Sequence, residues 1–434
     1  MSSVAFTTLG CRLNQAESDQ MAEQLAAQGI GSVADGGEPD LVIINTCTVT
    51  REATKGSRMA IRRAIKSHPR AKVVVAGCYA VSNREDIESI DGVDVIVGND
   101  DKDRIGEVLS RAQGTEALLR IGPPIASTAD RVRVRANLKA QTGCDEWCTF
   151  CIIPKTRGPL RSMNEDDLVA EARARVASGA RELVLTGVHL GKYDYDRGGD
   201  ERSLVRLFES LLAVQGVERL RLSSILSRHL TDELIAFFAS EPRMCRYLHV
   251  PMQSGDDGVL GDMNRPYRID DYVAALQRAR DGISGLALAT DIIVGFPTET
   301  EEAFDATVNV VKLLQFSKLH VFRYSARPDT KAAAMTDAVS PEVKKQRSKK
   351  LIEVGNAIRQ RFLQEHVGPP LEVLVEDERD VDGVRVCSGQ TSDYVRVWFE
   401  GSGLLGGLVT VRGREVRADG IRGAELVEPG SIDD

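Results

Sequence analysis

Three cysteines stand close together near the middle of the sequence, at a spacing that suits metal ligation. Cys144, Cys148 and Cys151 follow one another at offsets of four and three residues. Cysteine thiolates are soft ligands that bind iron–sulfur clusters. A loop this short can supply three thiolates to one four-iron cluster. Because no fourth cysteine follows in the loop, one iron would stay open to a small molecule.

Zinc, a disulfide or buried free thiols are the alternatives for this loop. A zinc site normally takes a fourth cysteine or histidine from nearby in the sequence. The next histidine, His189, comes 38 residues after Cys151. The spacing therefore favours an iron–sulfur cluster over each alternative.

Three further cysteines each follow a short apolar run. Cys11, Cys47 and Cys78 come directly after such runs, and helical patterns separate the runs. Strands that alternate with helices predict a parallel sheet, whose strands share one carboxyl edge. We therefore expect the three thiols to converge and to form a second iron–sulfur site. The alternative is that each is an ordinary buried cysteine.

Helices are predicted between these strands at Gln15 to Gly29 and at Thr54 to Ser67. The segment that contains the second helix carries eight cations against one acid, Glu52. A solvated helix face is the usual meaning of such a run, but this imbalance favours contact with phosphate groups. The cations are Arg51, Lys55, Arg58, Arg62, Arg63, Lys66, Arg70 and Lys72.

The loop that carries Cys144 is followed by alternating strand and helix patterns. With the strand before Cys144 they make six βα units, which predict an open (β/α)6 partial barrel with its functional loops at the carboxyl ends of the strands. The other predicted strands are Leu183 to Thr186, Arg219 to Ser223, Tyr247 to Val250, Leu286 to Val294 and Lys318 to Tyr324. The predicted helices are Glu165 to Ala177, Leu204 to Val214, Asp232 to Ala239, Asp270 to Arg280 and Glu301 to Leu314.

The motifs around both cysteine sets resemble those of a known family. The loop at Cys144 resembles that of radical S-adenosylmethionine enzymes, and three upstream cysteines are typical of the methylthiotransferases among them. The segments Thr8-Leu9-Gly10-Cys11-Arg12-Leu13-Asn14, Asn45-Thr46-Cys47 and Gly77-Cys78-Tyr79-Ala80 resemble the branch that acts on N6-threonylcarbamoyladenosine at position 37 of tRNA. The resemblance spans the whole chain.

This resemblance implies the cofactors and the reaction. One 4Fe–4S cluster would be held by Cys144, Cys148 and Cys151, and would reductively cleave S-adenosylmethionine to a 5′-deoxyadenosyl radical. A second 4Fe–4S cluster on Cys11, Cys47 and Cys78 would present the sulfur that is methylated and joined to C2 of the adenine. All six cysteines are thus implied to be catalytic and metal-binding.

The resemblance also implies contacts with S-adenosylmethionine, from the cluster loop and from four loops at strand ends. Leu226 stands where many relatives carry glutamate, so the ribose contact is left without its usual residue. Thr298 replaces a usual glycine. The implied contact residues are Phe150, Thr186, Gly187, His189, Ser223, Gln253, Ile293 and Gly295.

The C-terminal part changes composition at Gly368. Five short strand patterns in about sixty residues predict a small β-barrel, which resembles the RNA-binding TRAM domain. Tyr394 and Trp398 are expected either to stack on bases or to form a core pair. Upstream, a basic helix from Pro341 to His366 is expected to pack across the partial barrel.

The predicted organisation is therefore an α/β protein of three domains, at residues 1–121, 131–366 and 368–430, with a turn-rich linker at 122–130. The eight cysteines among 434 residues are too few for a disulfide scaffold. The sequence has no apolar run long enough to span a membrane and no signal-peptide pattern at its start. The net charge of −8 does not by itself indicate nucleic-acid binding.

We expect a cytoplasmic monomer that acts on tRNA with an external reductant and has no membrane partner. Three other functions remain open. They are methylthiolation of isopentenyladenosine in tRNA, methylthiolation of an aspartate in a ribosomal protein, and a non-catalytic role as an iron–sulfur RNA-binding protein or electron carrier. An open iron at each site argues against the last of these.

Overall fold

The structure, a computed structural model, describes residues 2–33, 37–112 and 133–426. The described chain forms an N-terminal parallel α/β sheet, a curled half-barrel and a C-terminal β domain, which confirms the predicted fold class. The proposed linker at 122–130 lies outside the described residues, so the domain boundaries remain predictions. No helix of the described ranges has both the length and the apolar composition needed to cross a membrane.

The elements are numbered here in chain order. The strands are β1 (Ser3–Thr8), β2 (Gly31–Ser32), β3 (Leu41–Thr46), β4 (Lys72–Gly77), β5 (Val95–Val97), β6 (Arg135–Lys139), β7 (Gln141–Thr142), β8 (Arg161–Ser162), β9 (Glu182–Thr186), β10 (Arg219–Leu222), β11 (Tyr247–His249), β12 (Ala287–Val294), β13 (Lys318–Arg323), β14 (Pro370–Val381), β15 (Val384–Gln390), β16 (Arg396–Glu400), β17 (Leu408–Arg412), β18 (Glu415–Arg417) and β19 (Gly420–Leu426). The α-helices are α1 (Arg12–Ala27), α2 (Arg51–Ser67), α3 (Cys78–Ser82), α4 (Arg84–Glu88), α5 (Ile105–Arg111), α6 (Ile153–Arg157), α7 (Glu165–Ala177), α8 (Ser203–Leu212), α9 (Asp232–Ser240), α10 (Asp257–Asp262), α11 (Ile269–Gly282), α12 (Glu301–Leu314) and α13 (Pro341–Gln364). Short 3-10 helices lie at Asn99–Arg104, Leu190–Lys192, Tyr195–Arg197, Ser227–His229 and Lys331–Ala334.

The N-terminal sheet is parallel throughout, in the order β2-β1-β3-β4-β5. Strand β3 is buried along its whole length, as expected for the centre of a sheet that is covered by helices on both faces. Thr8 pairs with Asn45, and Thr46 pairs with Gly77. The three strands that precede Cys11, Cys47 and Cys78 therefore end side by side at one edge.

The half-barrel consists of two three-stranded parallel sheets, β6-β9-β10 and β11-β12-β13. A single backbone bridge between Leu220 and Met244 connects them. All six predicted strands are present. Helix α12 shows how the helices cover the barrel, because Phe304, Val308 and Val311 recur on one face and are buried.

Helix α13 packs along the half-barrel, as predicted. Ser340 caps its first turn by accepting a hydrogen bond from the backbone of Val343. The helix is basic, and its cations pair with acids of the half-barrel: Arg347 pairs with Glu299 at 2.7 Å. These ion pairs tie the helix to the half-barrel.

The C-terminal sheet has the order β16-β15-β14-β17-β19-β18, and a β16–β19 pairing joins its two ends. Tyr394 is half-buried, and its ring is covered by neighbouring side chains. Its ring centroid lies 4.6 Å from that of Tyr247, and the guanidinium carbon of Arg221 lies 4.1 Å from the ring centroid. Tyr394 is thus packed against Tyr247 and Arg221, and among the described residues no ring contact joins it to Trp398, so the expected core pair of these two residues is not formed.

Candidate active site

The turns that carry Cys11, Cys47 and Cys78 approach each other closely at the edge of the N-terminal sheet. Gly10 has a φ of +100°, and a Cβ at this position would lie 2.7 Å from the Cβ of Cys47. Gly77 has a φ of +104°, and a Cβ there would lie 2.4 Å from the carbonyl oxygen of Thr46. Only glycine fits both turns without strain. The glycine before each of these two cysteines thus permits the close approach.

The three N-terminal thiols also interact electrostatically. Burial raises the pKa of the Cys47 thiol, a hydrogen bond from the Val49 backbone opposes this shift, and the nearby Cys78 and Cys11 raise the pKa further. The Nδ2 atom of Asn99 lies 3.6 Å from the sulfur of Cys78. None of the three is in a disulfide. Three free thiols that face one another at a sheet edge fit an iron–sulfur cluster with one open iron.

The second cysteine set forms a loop whose sulfurs accept hydrogen bonds. The backbone N–H of Glu146 donates to the sulfur of Cys144 at 3.4 Å. The backbone N–H of Ile153 donates to the sulfur of Cys151 at 3.5 Å. Such donors stabilise thiolates around iron–sulfur clusters and tune their potentials.

The third sulfur, on Cys148, accepts a hydrogen bond from a charged group. The Nη1 atom of Arg265 donates to it at 3.2 Å. Arg265 is half-buried, and its guanidinium also lies over the ring of Tyr267. A guanidinium that donates to this sulfur would stabilise the thiolate form of Cys148.

The thiols of this loop need a metal to become thiolates. Burial raises the pKa of Cys144 to about 11 and that of Cys151 to about 12. At neutral pH both would carry protons unless a coordinated metal displaced them. The donor set therefore fits an iron–sulfur cluster, which binds thiolates.

His189 reaches this loop, although it is distant in sequence. Its Nδ1 atom lies 4.0 Å from the sulfur of Cys144 and 3.5 Å from the carboxylate of Asp145. The three side chains are close enough to share one metal ion. This mixed group would use only one of the three cysteines, however, so it explains the loop less well than a cluster does.

A buried ion-pair network joins the two cysteine sets. Glu17 of α1 accepts hydrogen bonds from Lys102 at 2.6 Å and from Arg157 at 2.7 Å. All three side chains are at most 2% exposed. Burial alone would raise the pKa of Glu17, but Lys102 and Arg157 outweigh it and lower this pKa to about 2. Because Arg157 closes the loop of the second cysteine set, the network ties that loop to the N-terminal sheet.

Asn14 extends this connection to the cysteine turns. Its Nδ2 atom donates to the carbonyl oxygens of Leu9 at 2.7 Å and of Thr46 at 3.0 Å. Its Oδ1 atom accepts a hydrogen bond from Arg157 at 2.6 Å. One side chain thus connects the turns that carry Cys11 and Cys47 with the loop of the second set.

A cavity of about 200 Å³ lies beside the second cysteine set and contains Cys151 in its lining. Three parts of the chain line it: the turn after Cys47, the loop of the second cysteine set, and the carboxyl ends of half-barrel strands. The lining residues are Val49, Thr50, Phe150, Cys151, Ile152, Gln253, Asp291, Ile293, Phe322, Arg323, Tyr324, Ser325 and Arg327.

Three of the residues predicted to contact S-adenosylmethionine, namely Phe150, Gln253 and Ile293, line this cavity. Gln253 has a φ of +69°, a conformation that non-glycine residues rarely adopt and that is often found at functional sites. Hydrogen bonds hold its backbone to Asp291 and Ile293. The structure therefore places these three residues together.

The other predicted contact residues lie outside the cavity lining. Thr186 and Gly187 begin a loop that Gln141 holds, because the Gln141 side chain accepts hydrogen bonds from the backbone of Val188 and His189. This loop lies beside the second cysteine set.

Ser223 and Gly295 also lie outside the lining. The hydroxyl of Ser223 is buried without a hydrogen-bond partner among the described residues. Gly295 was expected to let the backbone approach a ligand closely. In the structure it closely approaches Lys344, whose Cγ would lie 2.3 Å from a Cβ at this position.

Several residues of the site were not assigned a role from the sequence. They include Asn14, Glu17, Arg157, Arg265 and Arg327. Asn14, Glu17 and Arg157 stand within a few residues of cluster cysteines, and charged or amide residues in such motifs were the available signal. Nothing in the local pattern marks Arg265 or Arg327.

Comparison with protein-family models gives two matches. Residues 3–98 match Uncharacterized protein family UPF0004, and residues 138–311 match the Radical SAM superfamily. Each match contains three of the six cysteines.

Known proteins resemble the chain along nearly its whole length. A threonylcarbamoyladenosine tRNA methylthiotransferase, MtaB, of Bacillus subtilis is 36% identical and covers 95% of this chain and 94% of its own. The protein of the same name from Thermotoga maritima is 34% identical, over 99% and 98%. A tRNA-2-methylthio-N(6)-dimethylallyladenosine synthase of Thermobifida fusca is 35% identical, over 90% and 82%.

Among solved structures, the radical S-adenosylmethionine methyltransferase TsrM of Kitasatospora setae is similar in fold. Its complex with tryptophan and an S-adenosylmethionine analogue aligns with a TM-score of 0.55, at 13% identity, over 82% of this chain and 89% of that one. At this identity the similarity concerns the fold alone.

Proposed function

The chain belongs to the radical S-adenosylmethionine methylthiotransferase family, and we propose that it transfers a methylthio group to C2 of N6-threonylcarbamoyladenosine in tRNA. Relatives that cover nearly the whole chain carry this activity in their names. The observation that carries the proposal is a cavity lined both by the loop of the second cysteine set and by the turn that follows Cys47, because this reaction needs a radical source and a sulfur donor at one substrate.

The enzyme uses two 4Fe–4S clusters and S-adenosylmethionine. We propose Cys11, Cys47 and Cys78 as the ligands of one cluster and Cys144, Cys148 and Cys151 as those of the other. When bound, these groups supply one-electron chemistry at an aromatic C–H bond and the sulfur that is transferred.

The chain's own residues stabilise the cluster thiolates and hold the two cysteine sets in a fixed relative position. Arg265 and the backbone N–H groups of Glu146 and Ile153 hold the thiolates of the second set. The network of Glu17 and Arg157 fixes the two cysteine sets relative to each other. Such fixed geometry supports a reaction whose partners must meet within one cavity.

We propose helix α2 as the docking surface for the phosphates of tRNA. Thr50, which caps α2, lines the cavity, so the helix begins at the cavity. The helix is about 25 Å long, and its six cations are exposed, as is Arg70 just beyond it. Residues 368–426, in contrast, carry seven arginines and no lysine against eleven acids. The charge distribution thus favours α2 over the C-terminal domain as the main phosphate-binding surface.

The remaining features of the proposal follow from the substrate and the site. A tRNA substrate and eight free cysteines support a cytoplasmic location. We further propose that the protein acts as a monomer. The electron that starts the reaction comes from an external reductant.

Nucleoside mass spectrometry of tRNA from a deletion strain tests the proposal. We expect loss of 2-methylthio-N6-threonylcarbamoyladenosine and accumulation of its precursor without the methylthio group. Loss of the isopentenyl counterpart would instead assign the chain to the substrate named for the dimethylallyladenosine relatives. If the amount of neither nucleoside changed, a ribosomal-protein substrate would become the favoured hypothesis.

A further inference from the structure

The wall of the cavity that follows β13 contains polar groups that lack partners. The hydroxyl oxygens of Tyr324 and Ser325 and the Nε atom of Arg327 are buried and have no hydrogen-bond partner among the described residues. All three residues line the cavity. Buried polar groups are normally paired, and leaving them unpaired is unfavourable. Three such groups on one segment indicate that a ligand completes this wall.

The charge of this wall indicates an anionic ligand. Arg327 is 7% exposed, and its Nη2 atom donates to the hydroxyls of Thr48 and Thr54 at 3.0 and 2.9 Å. Among the described residues, no carboxylate forms an ion pair with it. Burial and the neighbouring Arg51 lower the pKa of Arg327, and together they outweigh Cys47 and Glu52, which raise it. A bound anion would offset both effects.

A second arginine stands at the same wall. Arg323 also lines the cavity, and its only ion pair in the described chain is with Glu52 at 3.9 Å, where both side chains are more than half exposed. Exposed pairs of this kind contribute little. Asp291 is the one acid of the lining, and it lies 3.1 Å from His249. The lining thus offers two cations to a ligand.

We propose that Arg327, assisted by Arg323, binds the carboxylate of the threonylcarbamoyl substituent on the substrate adenosine. This inference rests on the function proposed above and adds a residue that selects the substrate. A carboxylate has only acceptors, which suit a guanidinium and two hydroxyls. A dimethylallyl substituent is apolar and would leave all three polar groups unpaired. The phosphates of tRNA lie on its backbone, outside a cavity of this size, and have the cations of α2 available.

The test uses the full-length protein with both clusters reconstituted under anaerobic conditions. Two anticodon stem–loop RNAs are compared, one with N6-threonylcarbamoyladenosine and one in which the carboxylate of that substituent is a neutral carboxamide. RNA binding is measured by fluorescence anisotropy, methylthiolation by mass spectrometry, and 5′-deoxyadenosine release without RNA by chromatography. The variants are R327Q, R327K and R323Q, and K331Q serves as a control because Lys331 is exposed and outside the cavity lining.

We expect the wild-type protein and K331Q to bind the carboxylate RNA about tenfold or more tightly than the carboxamide RNA, as for a hydrogen-bonded charge pair. R327Q should lose this preference, R327K should keep part of it, and R323Q should reduce it. Release of 5′-deoxyadenosine without RNA should stay unchanged in K331Q.

Three results would overturn the proposal. The first is a wild-type protein that binds both RNAs equally, a result that does not depend on the folding of any variant. The second is an R327Q protein that binds both RNAs more weakly by the same factor, because Arg327 would then contact phosphate or stabilise the fold. The third is a loss of RNA-independent 5′-deoxyadenosine release in R327Q, which would place Arg327 at S-adenosylmethionine. If the wild-type protein modified only an isopentenyladenosine RNA, the proposed function itself would fail.

Discussion

Replacing Glu17 by glutamine should destabilise the protein at neutral pH, although it changes only one buried group. The carboxylate of Glu17 is 2% exposed and accepts hydrogen bonds from Lys102 and Arg157, which are each 1% exposed at the side chain. Glutamine keeps the size of the side chain and removes its charge. Two buried cations would then face each other without an anion, and loss of one partner of a buried pair costs about 3–5 kcal/mol.

The pKa of Glu17 gives an independent figure of the same size. In the folded protein this pKa is lowered from 4.5 to about 2. At about 1.4 kcal/mol for each pKa unit, the ionised carboxylate contributes about 3 kcal/mol of stability at neutral pH. Because the folded pKa is the lower one, this contribution is complete above pH 4.5 and is lost as the pH falls from 4.5 towards 2.

Urea unfolding of the cluster-free full-length chain, followed by circular dichroism, measures this effect. E23Q is the matched control, because Glu23 also lies on α1 and pairs with an arginine of the half-barrel, Arg175, but its side chain is 47% exposed. Exposed pairs contribute about 0–1 kcal/mol. At pH 7 we expect E17Q to lose several times more stability than E23Q.

Two results would refute this reasoning. One is equal stability of E17Q and E23Q at pH 7. The other is a difference between wild type and E17Q that persists unchanged at low pH, because protonated Glu17 should then resemble glutamine. With its clusters reconstituted, E17Q should also release more 5′-deoxyadenosine for each methylthiolated product, since the two cysteine sets would be held less firmly.

Three further predictions concern the cysteine sets and the RNA surface. A C148A enzyme should lose 5′-deoxyadenosine release, whereas C47A should keep uncoupled release and lose methylthiolation; intact methylthiolation in C47A would exclude a second cluster at that set. Replacing Gly10 by alanine should lower the bound iron by about half, because the added Cβ would clash with Cys47 and prevent one of the two clusters from binding. Metal analysis measures the iron content, and a full iron content would contradict the prediction. Replacing Arg62 and Lys66 of α2 by glutamine should flatten the salt dependence of tRNA affinity by about 0.7–0.9 in slope for each lost phosphate contact, and an unchanged slope would argue against α2 as the docking surface.

The sequence predicted the parts of the site that repeat with a regular period. The convergence of Cys11, Cys47 and Cys78 follows from strands that alternate with helices, because parallel strands place their carboxyl ends at one edge. The order of the six half-barrel strands follows from the same periodicity. Strands β2 and β5 were missed because two or three residues are too few to show a pattern of alternation.

The parts that the sequence did not predict are pairings between distant side chains. Glu17 and Arg157 are 140 residues apart, and no period connects them. Tyr394 was open to two roles, since an aromatic residue in a small β-barrel is common both at RNA-binding faces and in cores. Its actual partners, Arg221 and Tyr247, are far away in the sequence, and neither could be named from the local pattern.

The buried network around Glu17 is better explained by the need to position the two cysteine sets than by a gain in folding stability. Apolar residues of similar volume often stabilise a protein as much as a buried ion pair does, or more. An ion pair differs because it has a preferred geometry, and here Arg157 forms hydrogen bonds with both Glu17 and Asn14. Asn14 in turn holds the turns of Cys11 and Cys47. An apolar contact at this place has no preferred direction and would allow the loop to shift relative to the sheet. Directed hydrogen bonds instead fix the distance between two cysteine sets that must serve one substrate.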